Sequence, residues 1–154
     1  MEENNLDELD YKILNIISND ARISFLEVSR ICGVSGAAIH QRVQKLIANG
    51  IITGSEFMLN INKIGYKTCA YLSLNFAQKE DIADIIEKLK NIHEIVECHL
   101  ITGQYDVLVK IYALNNNHLY DIIQSKIKPI GLTKSKTLIS YNELFHRQMI
   151  LNVA

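Results

Sequence analysis

The sequence predicts an α+β chain of two modules, three short helices followed by a β-α-β-β-α-β unit. Three observations carry that reading. Apolar residues recur at helical spacing as far as Ile47. From Thr68 the period changes to two, returning to helical spacing only over 82–89 and 119–127. Between them, 60–67 breaks both patterns with its Asn, Lys and Gly content. The predicted modules are therefore 1–59 and 68–154, joined by a connector over 60–67.

In the first helix Leu9, Ile13, Ile16 and Ile17 share a face, and Asp7 is its N-cap. Asp10 adds negative charge near the positive end of the helix dipole, and Asn19-Asp20 ends the helix. Ser24 caps a second helix, with Glu27 spaced for a capping box and an inward face of Leu26 or Val28, Ile31 and Cys32. Gly33 supplies the joint, because glycine enters left-handed backbone space without strain. Ser35 caps the third helix, which sets Ile39, Val43, Leu46 and Ile47 on one side. Ala37, Gln41, Gln44 and Lys45 fall opposite, with Ala38, His40 and Arg42 on the flanks. Asn49-Gly50 stops it, and 51–59 reads as a short two-stranded wing turning near Gly54. Three short helices with tight joints, the third pairing an apolar face with a basic, amide-rich one, build a winged helix-turn-helix. The second helix of such a motif sits in the major groove of double-stranded DNA.

In the second module Thr68, Ala70, Leu72, Leu74 and Phe76 alternate with Cys69, Tyr71, Ser73 and Asn75, the pattern of a half-buried strand. Ile82, Ile85, Ile86 and Leu89 mark a helix. Strands over 95–102 and 107–113 follow, joined around Gly103-Gln104-Tyr105-Asp106. Leu119, Ile122, Ile123 and Ile127 mark a second helix ended by Pro129 and Gly131, and 132–141 alternates as a last strand. This is a ferredoxin-like split unit with both helices on one sheet face. Tyr71, His99, Leu108, Tyr112 and Leu138 are the outward candidates on the other face, where a second copy of the sheet is expected.

Composition narrows the function. No apolar run approaches the ~20 residues of a membrane span, and the acidic start Met1-Glu2-Glu3-Asn4-Asn5 is no signal peptide. No membrane partner is expected. Cys32, Cys69 and Cys98 are odd in number and far apart, which fits neither a zinc site nor a disulfide framework and suits a reducing cytoplasm. With 16 basic against 17 acidic residues there is no global positive field. Locally, Arg22, Arg30, Arg42 and Lys45 face only Glu27 over 21–54, so a DNA-binding face would be local and would lean on more than one subunit. Cys69 and Cys98 sit in apolar strands, where an inert thiol is expected. His93, His99, His118 and His146 show no metal-ligand spacing, and no phosphate-binding glycine loop is present. No catalytic residue, metal or cofactor is assigned, and an enzyme is not expected.

The ordered series Leu6-Asp7-Glu8-Leu9-Asp10, Arg22-Ile23-Ser24, Gly33-Val34-Ser35, Arg42-Val43-Gln44-Lys45-Leu46, Gly50-Ile51-Ile52, Ile64-Gly65-Tyr66 and Thr102-Gly103-Gln104-Tyr105-Asp106 resembles the Lrp/AsnC family of transcription regulators. The resemblance covers essentially the whole chain. It implies a sequence-specific DNA-binding regulator that dimerises through its sheets, often assembles into octamers, and answers to a small effector such as an amino acid. Where the family often has proline after the cap serine, this chain has Gly36, and Ala37 and Ala38 stand where polar base-contacting groups are common.

Within that frame the DNA-binding candidates are Ser35, Ala37, Ala38, Gln41, Arg42, Gln44 and Lys45. Glutamine can pair bidentately with adenine, and lysine can neutralise a phosphate or meet guanine. A merely solvated helix face is the competing reading, and Arg42 on the flank suits an intramolecular ion pair as well. The effector candidates are Thr102, Gly103, Gln104, Tyr105 and Asp106. Glycine lets a charged ligand approach main-chain N–H groups, and Asp106 could receive an α-ammonium group. A plain hairpin turn is the alternative there. Leu138 and Ser140 stay open as further pocket residues. Two rival functions remain: an architectural DNA binder without effector, and a sirohaem-decarboxylase-like enzyme on the same scaffold. Against the latter, Arg147 is the only arginine in the second half to meet a polycarboxylate.

Overall fold

The computed structural model describes residues 6–152, and the acidic start Met1-Glu2-Glu3-Asn4-Asn5 lies outside the described residues. The described residues fall into two compact units, 6–58 with 145–152 and 59–144.

The first unit holds α1 (Glu8–Asn19), α2 (Phe25–Cys32) and α3 (Gly36–Ala48). The reciprocal capping box is at α1: the Asp7 carboxylate accepts from the Asp10 N–H at 2.9 Å, and Asp10 accepts from the Asp7 N–H at 3.2 Å. At α2, where the sequence predicts the box, only half of it forms. Ser24 accepts from the Glu27 N–H at 3.1 Å, while the Glu27 carboxylate turns to Arg30 at 3.3 Å. Gly33 takes φ 70° and carries the chain into the joint before Ser35, whose hydroxyl accepts from the Ala38 N–H at 3.1 Å.

Ile13, Val28, Ile39 and Val43 form the centre of this unit, flanked by Leu9, Ile16, Ile17, Ile23, Cys32, Val34 and Ile52. Of the alternatives Leu26 and Val28 it is Val28 that is buried, and two residues predicted to face inward, Ile31 and Ile47, are exposed. On the eight-residue α2 only Val28 and Ser29 are buried, and Ser29 is satisfied by donating to the Leu26 carbonyl at 2.6 Å. The two strands predicted for the wing do not pair over 51–59. An isolated two-stranded ribbon is marginal without a face to bury, and here Phe57, Met58 and Leu59 are exposed. The described residues from Phe145 onward group with α1 rather than with the sheet. Asn15 grips Leu151 there, its Nδ2 donating to the carbonyl at 2.6 Å and its Oδ1 accepting from the N–H at 2.9 Å.

The second unit runs β1 (Thr68–Phe76), α4 (Ile82–Lys90), β2 (Ile95–Leu100), β3 (Val107–Ala113), α5 (Asn116–Ile122), a π-helical turn (Ile123–Ile127) and β4 (Leu132–Ser140). The sheet order is β2-β3-β1-β4 and every pairing is antiparallel. Strict alternation on β1 buries Thr68, Ala70, Leu72, Leu74 and Phe76. Those apolar side chains pack with Val107, Val109, Ile111 and Ala113 of β3 against Ile85 and Leu89 of α4 and Leu119 and Ile122 of α5.

Cross-strand register defines the opposite face. Tyr71 pairs with Lys110 and Leu138, Leu108 with His99, and Cys69 with Tyr112 and Ser140. The outward residues predicted from alternation therefore do share one face. Lys110, which alternation alone does not single out, is buried on it between the rings of Tyr71 and Tyr112, at 5.8 and 5.5 Å from their centroids. Glu97 and Glu143 each stand 3.6 Å from its Nζ. Burial opposes the ammonium charge, but Tyr112, Tyr71 and Glu97 outweigh it and hold the Lys110 pKa above the usual lysine value.

Candidate functional site

Two candidate surfaces emerge, one on each unit. On α3, helical geometry turns Ile39, Val43 and Leu46 into the core and leaves Ala37, His40, Gln41, Gln44 and Lys45 exposed. Ser35 is exposed at the N-terminus of the helix, and Ala38 is half-buried. Of the seven residues nominated as DNA contacts, Gln41, Gln44 and Lys45 form the polar part of one surface, and Ala37 and Ser35 continue it towards the helix N-terminus.

Arg42 is engaged elsewhere. Its Nη1 donates to Asp7 at 2.5 Å and to Asp10 at 3.0 Å, tying α3 to the cap of α1. The Arg42 hydrogen bond holds the Asp7 carboxyl below its ordinary value, and the same pair raises Arg42 in turn. This arginine therefore braces the unit, as the intramolecular reading of its flank position allowed. His40 packs its ring at 5.7 Å from Phe25 of α2, which accounts for it without a ligand. Arg22 lies over the Phe57 ring at 5.3 Å.

On the second unit, the 101–106 turn closes through the Ile101 N–H donating to the Asp106 carbonyl at 3.0 Å. Gly103 takes φ 110°, a backbone conformation that side-chain-bearing residues rarely adopt. The turn is pinned to β1 by a residue that sequence reading assigned only to a strand face. Asn75 Nδ2 donates to the Gln104 carbonyl at 2.9 Å, and its Oδ1 accepts from the Asp106 N–H, also at 2.9 Å. The only local hint was an amide near the end of an alternating strand. Lys134 of β4 lies 5.3 Å from the Tyr105 ring centroid. Thr102, Gly103 and Gln104 are exposed, while Tyr105 and Asp106 are half-buried. Leu138 and Ser140 lie elsewhere: they pair with Tyr71 and Cys69, whereas the turn sits at the Leu74–Asn75 end of β1, beside Lys134.

Burial pushes the Cys69 and Cys98 thiols up, away from the reactive thiolate. Among the described residues no cluster of His, Cys, Asp and Glu could hold a metal ion, and no helix is long and apolar enough to cross a membrane.

Residues 6–53 match the family model for a winged helix-turn-helix DNA-binding domain, and 69–150 match that for an Lrp/AsnC ligand binding domain. The chain belongs to the Lrp/AsnC family of transcription regulators. The regulatory protein AsnC of Haemophilus influenzae is 34% identical over 137 residues, covering 88% of this chain and 91% of its own. The HTH-type transcriptional regulator LrpA of Pyrococcus abyssi is 36% identical over 130 residues, covering 84% and 92%. The solved structure of Escherichia coli AsnC superposes with a TM-score of 0.87 at 27% identity, covering 95% of this chain and 99% of that one. This Lrp/AsnC chain is thus a DNA-binding transcription regulator with a ligand-binding domain, not an enzyme. Its fold is the α+β pairing of a winged helix-turn-helix with a ferredoxin-like four-stranded unit.

Proposed function

We propose that this regulator reads its operator with the exposed side of α3 and tunes operator affinity to an amino acid bound at the 102–106 turn. The observation that carries the proposal is the construction of that turn: Asn75 fixes it on both sides while Thr102, Gly103 and Gln104 stay open to solvent. A fixed, glycine-containing turn offers main-chain N–H groups to a carboxylate, and Asp106 supplies an acceptor for an ammonium group.

On the DNA side, Gln41 and Gln44 suit adenine edges, and Lys45 suits a phosphate or guanine. Ser35 stands at the end of the helix that meets the DNA backbone in this motif. Arg42 is left out of the contact set because Asp7 and Asp10 hold it. The working unit is a cytoplasmic homodimer formed through the open sheet face of Tyr71, Leu108, Tyr112 and Leu138, assembling further into an octamer-like oligomer. Dimerisation presents two copies of α3 to half-sites roughly 34 Å apart on B-DNA. The amino acid acts only as far as it binds one assembly state better than another.

A thermal-shift screen of the full chain against the twenty amino acids tests the effector assignment, since a ligand preferring the native state raises the melting temperature. A shift that is lost on replacing Gly103 with valine supports it. A shift that survives this change places the binding site elsewhere.

A further inference from the structure

Beside the turn lies a cleft of about 320 Å³, lined by Phe76, Ile82, Ile85, Leu100, Ile101 and Asp106. Its volume is at the lower end of the range for small-molecule sites, ~300–1,000 Å³. Phe76 and Ile85 are buried and make its floor, Ile82 comes from the first turn of α4, and Leu100 forms an exposed lip at the end of β2. Ile101 precedes the turn and Asp106 is its last residue, and the two are joined by a 3.0 Å backbone hydrogen bond. The cleft therefore adjoins the base of the turn. Among the described residues lining it, Asp106 is the only polar side chain.

We propose that the effector is an α-amino acid with an apolar side chain, seated in this cleft while its charged backbone lies at the turn. The inference rests on the reading that the 102–106 turn binds the effector, and it narrows that reading to a chemical class. An amide or ammonium side chain entering a wall of Phe76, Ile82, Ile85, Leu100 and Ile101 gives up its hydrogen bonds to water without replacement, a loss that apolar contacts do not repay. An apolar side chain gives up nothing comparable and gains with each methylene buried. Specificity then comes from the wall, while the turn supplies the part common to all amino acids.

The test is a homologous series measured by calorimetric titration of the full chain: alanine, 2-aminobutyrate, norvaline and norleucine, against asparagine, glutamine and lysine. Affinity is expected to rise about fourfold with each added methylene, and the three polar amino acids are expected to bind more weakly than norvaline. The variant Leu100→Asn changes the lip at an exposed position and should flatten the series without unfolding the sheet. Circular dichroism and melting of the variant check that it is folded. Asparagine, glutamine or lysine binding as tightly as norvaline would overturn the apolar class while leaving the turn as the effector site. An unchanged series in Leu100→Asn would overturn the seating in this cleft. A wild-type chain that binds no amino acid would remove the effector reading itself, and this inference with it.

Discussion

In the DNA-binding unit four side chains, Ile13, Val28, Ile39 and Val43, make up the buried core cluster, whereas fourteen residues do so in the ligand-binding unit among the described residues. The smaller unit compensates with polar ties at its edges. Asp7 and Asp10 cap α1 and also hold Arg42 of α3, Ser24 and Ser35 cap the other two helices, and Asn15 fixes Leu151. The larger unit has polar ties too, at the Asn75 turn and around Lys110, but its layers are joined by strand alternation and apolar packing. A small reader thus gains order from caps and ion pairs, which a single polar substitution can remove. The sheet is more sensitive to methylene loss than to surface chemistry.

The sharpest way to break that contrast is a matched pair of core deletions. Ile39→Ala should cost ~2–5 kcal/mol in the small core. Leu72→Ala should cost a similar amount in a core with far more reserve. Hydrogen exchange read unit by unit should therefore show the α1–α3 amides opening widely in the first variant and the sheet amides largely protected in the second. Equal loss of protection in both would break the contrast.

Next in size is recognition itself. The double substitution of Gln44 and Lys45 by alanine should weaken operator binding by ~1–3 kcal/mol for a lost base pairing, with the salt slope reduced by about one for a lost phosphate contact. The oligomer should be unaffected, as sedimentation would show. Unchanged affinity would take this side of α3 out of the interface. Removing the cap of the same helix with Ser35→Ala should cost about 1 kcal/mol of stability, measurable as a shift in the denaturant midpoint of the DNA-binding unit.

The smallest expected effect is the pH dependence of the Arg42 brace. The Asp7 carboxyl sits below its ordinary value of 3.8. Its contribution is therefore complete above that value and is lost as the pH falls through the lower folded one. Acid unfolding of wild type should include this loss, and in Arg42→Ala it should be smaller, because the Asp10 and Leu9 N–H groups still lower the Asp7 carboxyl. An identical acid limb in the two proteins would show that the brace contributes no measurable stability, as many exposed ion pairs do not.

Much of the architecture was legible in the sequence because its signals are local. The alternation from Thr68 to Phe76 is an unbroken strand pattern, and Ser24, Gly33 and Ser35 punctuate the helices at close range. What escaped depends on contacts distant in sequence or on competing local choices. Asn15 meets Leu151 across 136 residues, so the last segment left no trace of the unit it joins. Asn75 acts on a turn 29 and 31 residues away, and nothing in a strand pattern announces that. Glu27 had the spacing for a capping box but pairs with Arg30 instead. The π-helical turn at Ile123–Ile127 shifts the helical phase in a way that an isoleucine-rich stretch conceals. At the two candidate surfaces, the positions of Gln41, Gln44, Lys45 and Gly103 followed from periodicity and turn chemistry, whereas the engagement of Arg42 needed the fold.

Coupling between the two units is read from the affinity of the wild-type chain for operator DNA, selected from genomic fragments, with and without the amino acid that most raises its melting temperature. Fluorescence anisotropy at fixed salt should show Kd changing by about 5- to 150-fold at saturating amino acid, the usual range of coupling between two sites. A Kd that stays constant while the amino acid is demonstrably bound would rule out effector control and leave an architectural DNA binder whose second unit serves assembly alone.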